Sequence, residues 1–123
     1  MIRKLDHIVI TTEHMLDCVN FYTVLGFRAY ETSGRWELLH DDFKINLHYK
    51  GSELEPKARH VQSGSTDICM ELKSSLSECI EQLTKNGILI EQGIVTRHGI
   101  KGEMKSIYVR DPDENLIELC SYE

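Results

Sequence analysis

The chain has 123 residues, of which 41% are apolar, and a net charge of −6. That suits one compact domain or two very small fused modules, neither able to bury much core alone. Acidic and basic residues are mixed along the chain, which argues against nucleic acid or an anionic membrane as the main partner. No apolar stretch nears the ~18 residues of a membrane span, and no secretory leader is evident. The four cysteines, Cys18, Cys69, Cys79 and Cys120, form no C-x-x-C pair. They read as reduced thiols, mostly small buried hydrophobes, of a cytoplasmic protein.

In chain order, His7–Thr12 alternates and is β-branched, so it predicts a strand. Thr12 is the expected cap of a helix carrying Met15, Leu16, Val19, Tyr22 and Leu25, and Gly26 is its stop. Three short strands follow around Phe27–Thr32, Arg35–His40 and Phe43–Tyr49, with turns at Ser33-Gly34 and Asp41-Asp42. The polar stretch 51–64 reads as a linker. The order then restarts with a strand at Asp67–Leu72. A capping pattern at Ser75 and Glu78 opens a helix with Leu76, Ile80 and Leu83, stopped by Asn86-Gly87. Ile88–Ile90 is the next expected strand, Gln92–Gly102 a glycine-rich loop, and Lys105–Arg110 and Leu116–Ser121 the last strands. Asp111–Asn115 is the turn between them.

The halves register. His7 and Asp67 lie 60 residues apart, Gly26 and Gly87 61, and His48 and Glu118 70. This predicts an α+β fold of two βαβββ repeats within one domain: repeat 1 over about 1–50 and repeat 2 over about 65–123.

Strand side chains alternate between faces. His7, Val9 and Thr11 share one face; Lys44, Asn46 and His48 another; then Asp67, Cys69 and Glu71; then Glu118 and Cys120. The opposite faces are apolar. Each polar face thus carries a potential ligand, and His7, His48, Asp67 and Glu118 form the expected set for one divalent metal. Imidazole and carboxylate together suit Ni, Co, Zn, Mn or Fe. Thr11, Asn46, Cys69, Ser106, Tyr108 and Arg110 are the expected substrate-binding residues of the same cavity. Arg110 could instead cap the Asp-Pro-Asp turn.

Two segments, Leu5-Asp6-His7-Ile8-Val9-Ile10-Thr11 and Phe21-Tyr22-Thr23-Val24-Leu25-Gly26-Phe27, resemble the opening of a glyoxalase / bleomycin resistance / extradiol dioxygenase (vicinal oxygen chelate) domain. Lys44–His48, Gly64–Cys69, Ser106–Asp113 and Asn115–Leu119 continue the likeness over nearly the whole chain. The most similar members are short lactoylglutathione-lyase-like proteins, some labelled virulence proteins. The resemblance implies a homodimer, with metal ligands on the first, fourth, fifth and eighth strands. Glyoxalase I enzymes typically place glutamate on the fourth strand and histidine on the fifth; here those strands offer His48 and Asp67. The implied activity is a metal-dependent lyase or isomerase acting on a small oxygenated metabolite, glutathione conjugates among the candidates, with Glu118 as base and Asp67 second. An Fe(II) ring-cleaving dioxygenase, a drug- or metabolite-binding module, and thiol transfer to an epoxide antibiotic are the alternatives that the family offers.

Overall fold

A computed structural model describes all residues, Met1–Glu123. The chain divides into two compact units, Met1–Gly64 and Ser65–Glu123. Each is a βαβββ unit.

The first unit holds β1 (His7–Thr12), α1 (Met15–Val24), β2 (Arg28–Thr32), β3 (Arg35–Leu39) and β4 (Lys44–Tyr49), with sheet order β1-β4-β3-β2. β1 and β4 are parallel; the other pairs are antiparallel. One face of the sheet carries Ile10, Leu38, Ile45 and Leu47, all buried along with Cys18, Val19 and Tyr22 of α1. Phe27 packs edge-on against Tyr22 and Phe43, with His40 beside them. Removing such apolar surface from water is the main force holding each unit together.

The second unit repeats this plan with β5 (Asp67–Glu71), α2 (Leu76–Lys85), β6 (Gln92–Gly99), β7 (Gly102–Arg110) and β8 (Leu116–Ser121), in the order β5-β8-β7-β6. Its core includes Leu83, Ile107, Val109, Ile117 and Leu119. Both helices end identically. Phe27 N–H donates to Tyr22 C=O and Gly26 N–H to Thr23 C=O; Ile88 N–H donates to Leu83 C=O and Gly87 N–H to Thr84 C=O. These are paired Schellman closures, which require the left-handed backbone that Gly26 (φ 110°) and Gly87 (φ 72°) adopt.

Three expectations change. Ile88–Ile90 is not a strand; the sixth strand lies later, at Gln92–Gly99, inside the segment expected to be a glycine loop. Ile94, Val95 and Thr96 form its β-branched centre, and Gly93 sits where a Cβ would meet Ile107 Cγ2 at 2.6 Å. The glycine there permits close strand approach at a register shift rather than a loop. Thr12 does not cap α1. Its Oγ1 accepts the N–H of His14, two residues on, at 2.9 Å, and His14 itself is the cap position. Ser75 does cap α2, its Oγ accepting the Glu78 N–H at 3.1 Å.

Candidate metal and substrate site

In the first unit, β1 and β4 run parallel with His7 opposite Lys44, Val9 opposite Asn46 and Thr11 opposite His48. His7 and His48 therefore sit four positions apart along the pair, roughly 13 Å at strand rise. Two imidazoles on one ion need metal–nitrogen bonds of about 2 Å each. Side chains stand nearly perpendicular to a sheet, so these two do not converge. Asn46 is only two positions from His7, roughly 7 Å along the strand. The register thus brings His7 to Asn46 and does not bring it to His48.

The repeat itself gives the same pairing. Lys44 N–H donates to Asp6 C=O, and Leu116 N–H donates to Thr66 C=O. Lys44 is thereby equivalent to Leu116, Asn46 to Glu118 and His48 to Cys120. In the second unit Cys69 lies opposite Glu118, and Asp67 two positions earlier. The pair Asp67 and Glu118 repeats the pair His7 and Asn46.

The chemistry of these four positions differs. His7 is exposed, and its Nδ1 is 2.7 Å from Asp6 Oδ1, leaving Nε2 as the nitrogen open to a ligand. A carboxylate on one ring nitrogen fixes the ring and raises the basicity of the other. The same contact, with help from Lys44 and Lys4, holds the Asp6 carboxyl below its ordinary range. Asn46 is half-buried, and its Oδ1 is buried with no hydrogen-bond partner. A buried acceptor left bare costs ~1–3 kcal/mol, so it is suited to a cation or a ligand donor. Glu118 is half-buried, and its Oε2 accepts from the fully buried Ser106 Oγ at 2.7 Å. The Cys69 thiol also contacts Glu118; burial, reinforced by hydrogen bonding with Cys120, pushes that thiol up to about 12. Asp67 is exposed at the start of β5.

The turn between β7 and β8 positions Asp67. Asp111 Oδ1 accepts the Asp113 and Asn115 N–H groups, and Asn115 Nδ2 donates to Asp111 Oδ2 at 2.8 Å. Asn115 Oδ1 accepts the Thr66 N–H at 2.8 Å, tying the residue before Asp67 to the turn.

The other expected residues fall as follows. Thr11 is buried opposite His48. His48 is half-buried; burial pushes its pKa below the ordinary value and Arg35 adds to this, while Glu53 opposes it. The ring is neutral at pH 7. His48 and Asn46 border a cleft of about 530 Å3 with Arg35, Trp36, Leu47 and Leu54. Tyr108 lies opposite Glu118 in the β7–β8 register. Arg110 is held by Glu91, Nε to Oε1 at 2.9 Å and Nη2 to Oε2 at 3.0 Å, while its Nη1 donates to the Glu114 carbonyl of the turn. Two residues not anticipated from the sequence touch these candidates. One is Asp6, whose acidic side chain directly before His7 was the available signal. The other is Arg97, whose Nε donates to Tyr108 Oη at 2.9 Å; it was hidden in the segment expected to be a loop.

No helix is long and apolar enough to cross a membrane. Residues 4–119 match the family model of the Glyoxalase/Bleomycin resistance protein/Dioxygenase superfamily. The glyoxalase domain-containing protein RDO1 of Mycosarcoma maydis is 46% identical over 99% of this chain and 70% of its own length. Virulence protein STM3117 of Salmonella typhimurium is 40% identical over 99% of this chain and 86% of its own. The structure of an integron cassette protein from the mobile metagenome of V. cholerae superposes with a TM-score of 0.94 at 42% identity, covering 100% of this chain and 98% of that one.

Proposed function

This chain belongs to the Glyoxalase/Bleomycin resistance protein/Dioxygenase superfamily, and we propose that it is a metal-dependent lyase or isomerase of glyoxalase type. Its substrate is a small metabolite with two neighbouring oxygens, and it works as a homodimer. Each unit supplies a half-set of donors: His7 with Asn46, and Asp67 with Glu118. The observation that carries this reading is the bare Asn46 Oδ1, buried on the strand position equivalent to Glu118.

The donor chemistry of the two half-sets suits a divalent cation, an imidazole nitrogen with an amide oxygen in the first unit and two carboxylates in the second. Its oxygen-rich character favours Mn(II)-like ions over thiophilic ones. The cation would supply Lewis-acid polarisation of a substrate oxygen. Glu118 would take the substrate C–H proton and return it to the neighbouring carbon. Ser106 and Cys69 hydrogen-bond to that carboxylate, orienting it while leaving lone pairs for a cation or a proton. Neutral His48 accepts or donates hydrogen bonds to substrate in the cleft of the first unit. His7 and His48 stand four positions apart at this register, which supports the lyase reading over a facial triad of two histidines and a carboxylate.

The test is Mn(II) uptake by equilibrium dialysis for wild type and for His7→Ala, Asn46→Ala, His48→Ala and Glu118→Gln. Near-stoichiometric uptake that weakens in all but His48→Ala is the expected result. No uptake by wild type, or dependence on His48 rather than Asn46, sinks the assignment.

A further inference from the structure

We propose that Arg97, together with Tyr108, binds an oxyanion group of the substrate, so that the molecule acted on is an anion bearing a carboxylate or phosphoryl group. This rests on the function proposed above and narrows its substrate class.

Antiparallel partners share a sheet face. Glu118 lies opposite Tyr108, Cys120 opposite Ser106, and Arg97 opposite Met104. Met104, Ser106 and Tyr108 alternate onto one face of β7, so Arg97 stands on the same face as Glu118. It is half-buried, with its guanidinium 5.4 Å from the Tyr108 ring centroid. Its Nε donates to Tyr108 Oη at 2.9 Å and its Nη1 to the Thr96 carbonyl at 3.0 Å. No carboxylate neutralises it. A guanidinium carries five N–H donors, and these two bonds leave Nη2 unengaged.

The direction of the Arg97–Tyr108 bond matters. Guanidinium nitrogen can only donate, so Tyr108 Oη accepts, and its own proton remains to be donated elsewhere. The pair thus presents two donors, Nη2–H and Oη–H, with one positive charge. That is the complement of an oxyanion, which the planar guanidinium fork matches well.

Neighbouring cations of this unit are engaged otherwise. Lys101 Nζ bridges both Glu71 carboxylate oxygens at 3.0 and 3.1 Å. Arg110 is paired with Glu91. Lys105 alternates onto the opposite face and donates to Thr96 Oγ1 at 2.7 Å. On a chain of net charge −6, an unneutralised, half-buried arginine on the same sheet face as the proposed base is the feature that attracts an anion.

The experiment titrates inorganic phosphate and malonate, at constant ionic strength, into wild type, Arg97→Gln, Tyr108→Phe and the charge control Lys105→Gln. Binding is followed by amide 1H–15N shifts, with and without Mn(II). At least ~tenfold weaker binding in Arg97→Gln, a smaller loss in Tyr108→Phe and none in Lys105→Gln is expected. Preference for malonate identifies a carboxylate, preference for phosphate a phosphoryl group. Failure of both anions to bind wild type, or equal binding by Arg97→Gln, overturns the proposal. Mn(II) uptake is measured on the same samples. If anions bind through Arg97 while wild type takes up no metal, the metal-dependent reading fails and the anion site stands.

Discussion

Ser106→Ala isolates what orientation of Glu118 contributes. Ser106 is fully buried, and its 2.7 Å hydrogen bond goes to a carboxylate. A hydrogen bond to a charged group contributes ~1.5–3 kcal/mol. Glu118 is half-exposed and can recover part of that from water, so the lower end applies to stability, about 1.5 kcal/mol. Metal affinity should fall further in relative terms, because the carboxylate gains rotamers that point away from the ion. Loss of such a supporting partner weakens metal binding by about 10–100-fold. Urea unfolding of the metal-free protein and Mn(II) dialysis of the same variant separate the two effects. If Ser106→Ala loses stability but binds Mn(II) within about threefold of wild type, Ser106 is merely a satisfied core hydroxyl and the carboxylate needs no positioning.

Asn115→Ala removes two buried side-chain hydrogen bonds and strands the Thr66 N–H, so a loss of about 3 kcal/mol is expected by urea unfolding; a loss below ~1 kcal/mol would contradict this role for the turn. Gly99→Ala places a Cβ 2.0 Å from Tyr122 Oη and 2.8 Å from Met104 Sδ. It should destabilise by about 1–3 kcal/mol, and Tyr122→Phe should relieve part of that in a double-mutant cycle. The His48 pKa is depressed in the fold, chiefly by burial. Its protonation is therefore easier in the unfolded chain, and stability contributed by the neutral ring is lost as pH falls through the unfolded value near 6.5 towards the folded one. His48→Gln should flatten that part of the stability–pH curve, and an unchanged slope between pH 7.5 and about 5.5 would remove His48 as its source.

The repeat was legible because its punctuation is local chemistry. Gly26 and Gly87 close their helices with the same two hydrogen bonds, and Ser75 caps α2 through a side-chain oxygen three residues from the N–H it accepts. The sixth strand was not legible, because Gly93, Gly99 and Gly102 make its sequence look like a loop. Two of these glycines answer neighbours distant in sequence: Gly93 lies against Ile107, and Gly99 against Tyr122 and Met104. Arg97 was lost with that strand, since its partner Tyr108 comes from the next one.

The choice between His48 and Asn46 as the partner of His7 was open for a different reason. Alternation tells which face a residue takes, and positions 46 and 48 take the same face. A two-residue error in register therefore leaves every polar position polar and every apolar position apolar. Only the pairing of β1 with β4, fixed by the Lys44–Asp6 backbone bond, distinguishes them. A histidine also looks more like a ligand than an asparagine does, so residue chemistry pointed to His48 where the register brings Asn46 nearer to His7. Pairing His7 with Asn46 alters the proposed chemistry. Relative to a glutamate, an amide oxygen brings no negative charge, so the first unit offers a neutral half-set, and both carboxylates come from β5 and β8. In the proposed site Glu118 and Asp67 would carry the charge compensation for a dication, and an incoming negative oxygen of the substrate would free Glu118 to accept a proton. An anionic substrate held by Arg97 and Tyr108 would meet that electrostatic requirement.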